Sequence, residues 1–404
     1  MNRFSHYWLN YLLCLLLASY LMIIFPVQTP IAAENITPPS TTEIRGVWLT
    51  NVASGVLFVP WGIERAVNQL AKLKFNRIYP VVWNRGHTFY HSAVAKQFIG
   101  KETQPFLNIM HNGEDVLAKL TKLSKAKGLS VIPWFEYGFM TPPNSELAKL
   151  HPDWLTTTRS PNNAIPKTPP EEINNDFFGK QSWLNPLHPE VQEFTQALLV
   201  EVASNYDVDG IQLDDHFGMP VLFGYDRFTV ELYQQEHQGK SPPNDPFNTE
   251  WMRWRADKVT EFMQKIYQAV KAVKPNAKIS LSPNSQSFAY KYYLQDWETW
   301  VKQGLVQELV LQVYRDDKTN FLAELNQPAV KFASTQIPVA VAILSGTFTN
   351  PVKIEKVREQ VKLVRDNKFS GFSFFYWESL WGYIAPESPR QRRRVFSQLF
   401  DAKS

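Results

Sequence analysis

Eight times between residues 43 and 400 a short apolar run is followed by a stretch of helical periodicity, and few folds accept that pattern. Such alternation sets strands side by side in parallel, with helices crossing between them. The runs lie at residues 43–51 (EIRGVWLTN), 75–83 (FNRIYPVVW), 129–137 (LSVIPWFEY), 208–217 (VDGIQLDDHF), 278–284 (KISLSPN), 306–314 (VQELVLQVY), 337–344 (IPVAVAIL) and 369–378 (FSGFSFFYWE). After the first, Ile63, Ala66, Val67, Leu70 and Leu73 recur at helix spacing. The same spacing predicts helices over 114–127, 189–205, 250–274, 290–303, 320–332, 352–367 and 389–400. Eight units predict closure into a single α/β domain, a (β/α)8 TIM barrel over residues 43–402. The chain has 404 residues, 44% of them hydrophobic, which suffices for a barrel of roughly 250 residues with long loops. Two connections are long, 138–189 after strand three and 216–248 after strand four. The first reads as a polar, proline-broken loop without structure of its own, a kind usually kept for function.

The fourth run carries the sharpest chemistry. Side chains alternate between faces along a strand. Ile211, Leu213 and Asp215 therefore share the side packed under helices, while Gln212 and Asp214 point into the barrel. Asp214 lies at the strand's C-terminal end, where barrel enzymes keep their chemistry. An Asp pair also closes ordinary strands and caps helices. The other strand ends supply Asn51; Trp83, Asn84 and Arg85; Trp134 and Glu136; Ser282 and Asn284; Gln312, Tyr314 and Arg315; Ser345; Trp377 and Glu378. Carboxylates, amides and aromatics round one mouth are what a sugar pocket uses. Cleaving a glycoside usually takes two carboxylates, one giving a proton to the leaving oxygen and one attacking or activating water. The catalytic candidates are Asp214, Asp215, Glu136 and Glu378. Glu378 follows Phe374-Phe375-Tyr376-Trp377, and apolar walls raise a carboxyl toward the range of an acid catalyst. Against these readings stand an ion pair between Glu136 and Arg85, and a helix N-terminal role for Glu378. Substrate contacts are expected from Trp83, Asn84, Arg85, Trp134, His216, Asn284, Gln312, Tyr314 and Trp377.

Several chemistries are disfavoured. The one cysteine, Cys14, lies in an apolar leader, so the folded domain has no thiol or disulfide chemistry. No P-loop, dinucleotide-binding glycine turn or nucleophile-elbow serine follows a suitable strand, and no cofactor is expected. His216 beside two aspartates raises a metal-dependent deacetylase as an alternative. The other candidate ligands, His87, His91, His111, His151 and His188, are scattered, and no metal is expected. A net charge of +4 is small for this length, and Arg392-Arg393-Arg394 reads as a solvated helix face, so no nucleic-acid partner is expected. Residues 7–25 are almost wholly apolar and Ala32-Ala33 follows. Residues 1–33 thus read as a signal peptide or N-terminal membrane anchor, and 34–42 as a linker. The domain is expected outside the cytoplasm, periplasmic or extracellular, touching a membrane only through that segment if it is uncut, and monomeric.

The motifs E-I-R-G-V-W-L-T at 43–50, W-L-N-P-L-H-P-E-V at 183–191, D-G-I-Q-L-D-D-H-F at 209–217, S-P-N at 282–284 and Q-V-Y at 312–314 resemble those of the glycosyl-hydrolase-like family ten, exported bacterial (β/α)8 domains. The resemblance covers about residues 43–400. It implies cleavage of a polysaccharide, peptidoglycan glycan strands in particular, with Asp214 and Asp215 in the catalytic region. One departure is the turn after strand two, where Arg85-Gly86-His87 stands in place of the family's acidic Gly-Asp turn. A non-catalytic glycan-binding barrel and the deacetylase remain as alternatives.

Overall fold

The structure is a computed structural model that describes residues 42–159, 181–347, 350–381 and 385–401. The expected leader, and the linker but for Thr42, lie outside the described residues. Eight parallel strands close on themselves: β1 (Ile44–Leu49), β2 (Arg77–Asn84), β3 (Ser130–Val131 and Trp134–Phe135), β4 (Gly210–Asp214), β5 (Lys278–Ser282), β6 (Glu308–Gln312), β7 (Val339–Leu344) and β8 (Gly371–Phe375). Each strand pairs with its neighbours in sequence, and β1 pairs with both β2 and β8, which completes a (β/α)8 barrel. Strands such as VAVAIL of β7 are continuous apolar runs because the barrel buries both of their faces.

The barrel interior is polar as well as aromatic. Trp48 Nε1 donates to Gln212 Oε1 at 2.8 Å, Gln212 Nε2 to Ser280 Oγ at 3.0 Å, and Ser280 Oγ to Glu308 Oε1 at 3.0 Å. Tyr79 OH also donates to Glu308 at 3.0 Å, and Arg77 forms an ion pair with it. This buried chain links five strands, and each member satisfies the next, as buried polar groups must. It forms a fixed floor beneath the strand ends.

Several sequence expectations need correction. Strand three is not continuous over 129–137. Ile132-Pro133 interrupts it, because proline has no N–H to give a neighbour. The described part of residues 138–189 is not structureless. Met140–Thr141, Leu155–Thr156 and Ser182–Leu184 form a small antiparallel sheet, and Glu146–Leu150 is a helix. Strands this short show no readable alternation. The connection after β4 contains the helix Arg227–Glu236, capped by Asp226. The helix expected over 290–303 is two, Gln286–Tyr293 and Trp297–Lys302, split at Leu294, whose φ is 53°. The one expected over 320–332 is also two, Lys318–Leu325 and Pro328–Gln336, the second starting on a proline. Arg392 is not solvated. It shares the buried face of Pro389–Asp401 with Phe396 and Phe400, and its guanidinium donates to the carbonyls of Leu380, Val352 and Ser345 and to Glu387. No helix among the described residues is long and apolar enough to cross a membrane.

Candidate active site

β3 and β4 run in register, Trp134 opposite Gln212 and Phe135 opposite Leu213. The next residues, Glu136 and Asp214, therefore leave adjacent strands at one level, where neighbouring strands are about 4.8 Å apart. Both are buried and both line a cavity of about 420 Å³ at the C-terminal mouth of the barrel.

Their surroundings differ. Glu136 accepts from Thr50 Oγ1 (3.1 and 3.0 Å to its two oxygens) and from Asn84 Nδ2 (2.7 Å). Burial outweighs these neutral donors, and with the Asp214 charge nearby it pushes Glu136 up to about 8. Its hydrogen-bond donors are Thr50 and Asn84, both neutral, where the sequence also allows an ion pair with Arg85. Asp214 accepts from the backbone N–H of Tyr137 (2.7 Å) and of His216 (2.9 Å). Burial raises it too, but only to about 6, because His216 and these N–H groups favour the anion. Their surroundings set the two carboxyls apart, Glu136 pushed the further up, so near neutral pH Glu136 favours the proton and Asp214 the charge.

Asp215 does not face the helices as simple alternation predicts. β4 ends at Asp214, and the turn brings the Asp215 carboxylate into the cavity. There it accepts from Asn284 Nδ2 (2.7 Å) and Gln312 Nε2 (3.1 Å), with His216 Nδ1 3.1 Å away. The turn is held by Gln295, whose Nε2 donates to the Asp214 and Phe217 carbonyls. Gly138 makes it possible: its φ is 43°, and a Cβ there would lie 2.6 Å from the His216 carbonyl oxygen. Asp214, Asp215 and His216 could each offer one ligand atom to a metal within a span of 4.8 Å. Both aspartates already have hydrogen-bond donors on their two oxygens, so neither carboxylate needs an ion to be satisfied.

Aromatic rings wall the cavity. Trp48, Trp134 and Phe375 meet pairwise with ring centroids 6.0 to 6.3 Å apart, and Tyr314 packs on Phe375 at 5.9 Å. Burial and the nearby carboxylates hold the Tyr314 phenol well above its ordinary range, so it stays a hydrogen-bond donor. Trp134 lines the same space, and its buried indole N–H has no partner among the described residues.

The structure thus gathers Glu136, Asp214, Asp215, His216, Trp134, Asn284, Gln312 and Tyr314 round one cavity. Asn84 and Arg85 line a second cavity beside it. Trp83, Trp377 and Glu378 line neither of these. Trp83 donates to the Gly138 carbonyl at 3.0 Å and packs on Phe194. Trp377 and Glu378 belong to the short helix Trp377–Trp381 beyond β8. The Glu378 carboxylate accepts from the Ser54 hydroxyl and from the Val56 N–H at 3.1 Å, which ties that helix to the loop after β1. Burial raises its pKa. Sequence reasoning missed Trp48, Thr50, Tyr137, Gln295 and Phe375. Trp48 and Thr50 could have been found, since they share the inward face of β1. Tyr137 acts through its backbone and Gln295 from a distant loop, and neither carries a local signal.

The sequence model of the family described as Glycosyl hydrolase-like 10 matches residues 43–363. Glycosyl hydrolase YngK of Bacillus subtilis (strain 168) is 23% identical over 335 residues, which cover 74% of this chain and 58% of that protein. The chain therefore spans little more than half of that relative. Glycosyl hydrolase DigH of Escherichia coli (strain K12) is 22% identical over 396 residues, 81% of this chain and 79% of that one. Among solved structures, the PgaB (BpsB) glycoside hydrolase domain from Bordetella bronchiseptica superposes with a TM-score of 0.63 at 12% identity, covering 90% of this chain and 99% of that one. Alpha-L-fucosidase isoenzyme 2 from Paenibacillus thiaminolyticus gives 0.61 at 15% identity, covering 89% and 49%. These structural likenesses bear on the fold.

Proposed function

The chain belongs to the glycosyl hydrolase-like 10 family, and from that premise we propose that it is an exported glycoside hydrolase that cuts peptidoglycan glycan strands. The observation that carries the reading is the pair Glu136 and Asp214, adjacent, facing one cavity, with pKa values driven apart by their surroundings. Glu136, protonated at neutral pH, gives its proton to the leaving glycosidic oxygen. Asp214, ionised, acts on the opposite side of the bond as nucleophile or as base toward water. Asp215, held by Asn284 and Gln312, adds negative charge where an oxocarbenium-like transition state needs it. Trp48, Trp134 and Phe375 offer apolar faces to a sugar ring, and the Trp134 N–H and Tyr314 hydroxyl offer donors to its hydroxyls. The resemblance to the family supports peptidoglycan as substrate, and the apolar leader supports export.

The test is release of reducing ends from purified, peptide-free glycan strands. Wild type should release them, and Asp214→Asn or Glu136→Gln should lower the rate by roughly 10²–10⁴-fold. Full activity in Asp214→Asn rejects the assignment. Release of acetate instead, lost on adding a chelator, would point to the deacetylase. Binding of the strands without turnover would leave a glycan-binding barrel.

A further inference from the structure

The turn after β2 is a two-residue hairpin in which Asn84 pairs with His87, leaving Arg85 and Gly86 at its tip. Both tip residues have positive φ, 51° and 86°. Such a turn favours Asn, Asp or Gly at its first position, so an arginine there is held against its backbone preference. It packs on the connection after β3, since a Cβ on Gly86 would meet Thr141 Oγ1 at 3.2 Å. Beside it opens the second cavity, about 410 Å³, lined by Arg85, His87, Lys101, Asn51 and Asn84 among others. Glu146 is the carboxylate on its wall, against two full cations. Phe58 lines it too, and packs at a tilt on the exposed Phe106 with ring centroids 5.7 Å apart. Burial, then the charges of Lys101 and Arg85, hold the His87 imidazole below its ordinary value, so these groups act on one space. Asn84 joins the cavities: its Nδ2 donates to Asn51 at 2.8 Å and to Glu136 at 2.7 Å.

We propose that this second cavity is a neighbouring sugar subsite that recognises an acidic residue of the glycan, with Arg85 and Lys101 pairing with the sugar's carboxylate and Phe58 stacking on its ring. The assignment rests on the glycan reading of the barrel and narrows it to carboxylate-bearing polysaccharides. An arginine fork matches a carboxylate in two hydrogen bonds, and His87, uncharged at neutral pH, adds a third polar contact.

The test compares glycan strands with the same strands after chemical reduction of their carboxyl groups to alcohols, which leaves ring and linkage intact. Binding is measured by calorimetry on full-length Glu136→Gln protein, so that turnover does not interfere. Native strands should bind about tenfold more tightly than reduced ones, and the difference should shrink at high salt. Adding Arg85→Asn together with Lys101→Gln should bring the ratio below about twofold. Asn suits the turn, and a melting temperature no lower than that of the parent protein confirms that the variant folds. Equal binding of both strands, failure to bind either, or a ratio unmoved by the two substitutions overturns the subsite. Wild-type cleavage assayed in parallel separates the readings: rapid cutting of both strands with equal affinity sinks the acidic subsite and leaves the hydrolase standing. Preferential binding of native strands without any cutting does the reverse.

Discussion

A carboxyl that titrates near 8 keeps its proton at neutral pH, and one that titrates near 6 does not; Glu136 and Asp214 hold these two positions side by side. If Asp214 must be ionised and Glu136 protonated, kcat/KM falls below about pH 6 and again above about pH 8. A rate flat from pH 5 to 9 would refute that division of labour. Replacing Glu136 by Gln should hurt hydrolysis of the polysaccharide far more than that of an aryl glycoside whose leaving group needs no proton. The same raised pKa makes Glu136 a stability cost at high pH. Its folded pKa lies above the unfolded value of about 4.3, so its contribution is full below that pH and is lost as pH climbs through 8. Glu136→Gln keeps the shape of the protonated acid, and its amide can still accept from Asn84 and meet Thr50. The variant should therefore be more stable than wild type at pH 9, by on the order of a few kcal/mol, and nearly equal at pH 4. Urea denaturation at the two pH values measures this.

At the scale of elements, the site depends on two turns with opposite backbone demands. Gly138 needs its missing side chain because the chain after β3 passes against the His216 carbonyl. Gly138→Ala should force the two loops apart, cost about 1–3 kcal/mol, and displace the Tyr137 N–H that holds Asp214. Loss of stability without loss of activity would show that this N–H does not position the carboxylate. The Arg85 turn runs the other way. Arg85→Asn should gain about 0.5–1 kcal/mol, because asparagine enters the left-handed region more readily. A variant that is more stable yet binds acidic glycan less well is the expected signature of a residue kept for binding rather than folding.

Across the whole molecule, the closed barrel lets residues 50, 84, 136, 214, 284 and 312 meet at one mouth, and Arg392 locks its last units. Its guanidinium joins the end of β7, the helix bearing Glu378 and the C-terminal helix. Arg392→Leu leaves several buried carbonyls without a donor, and should lower stability by about 3 kcal/mol or more in chemical denaturation. Much of the barrel was legible in the sequence because its signals are local. Runs such as VAVAIL and VQELVLQVY can bury both faces only as strands, and the helix at Pro189–Asn205 announces itself by its proline and its spacing. The inward face of β4 followed from alternation alone, so Asp214 could be read. What the sequence determined, then, was the barrel and the rim from which its acids project. The tertiary structure decided the rest, because each remaining item depends on partners far away in the chain. It turned Asp215 inward through Gln295, took Glu378 out of the cavity by tying it to Ser54 and Val56, and buried Arg392 beside Phe396. It also gave Glu136 and Asp214 different proton affinities, since desolvation and the geometry of distant donors set a pKa and neither is written in the residues next to the carboxyl.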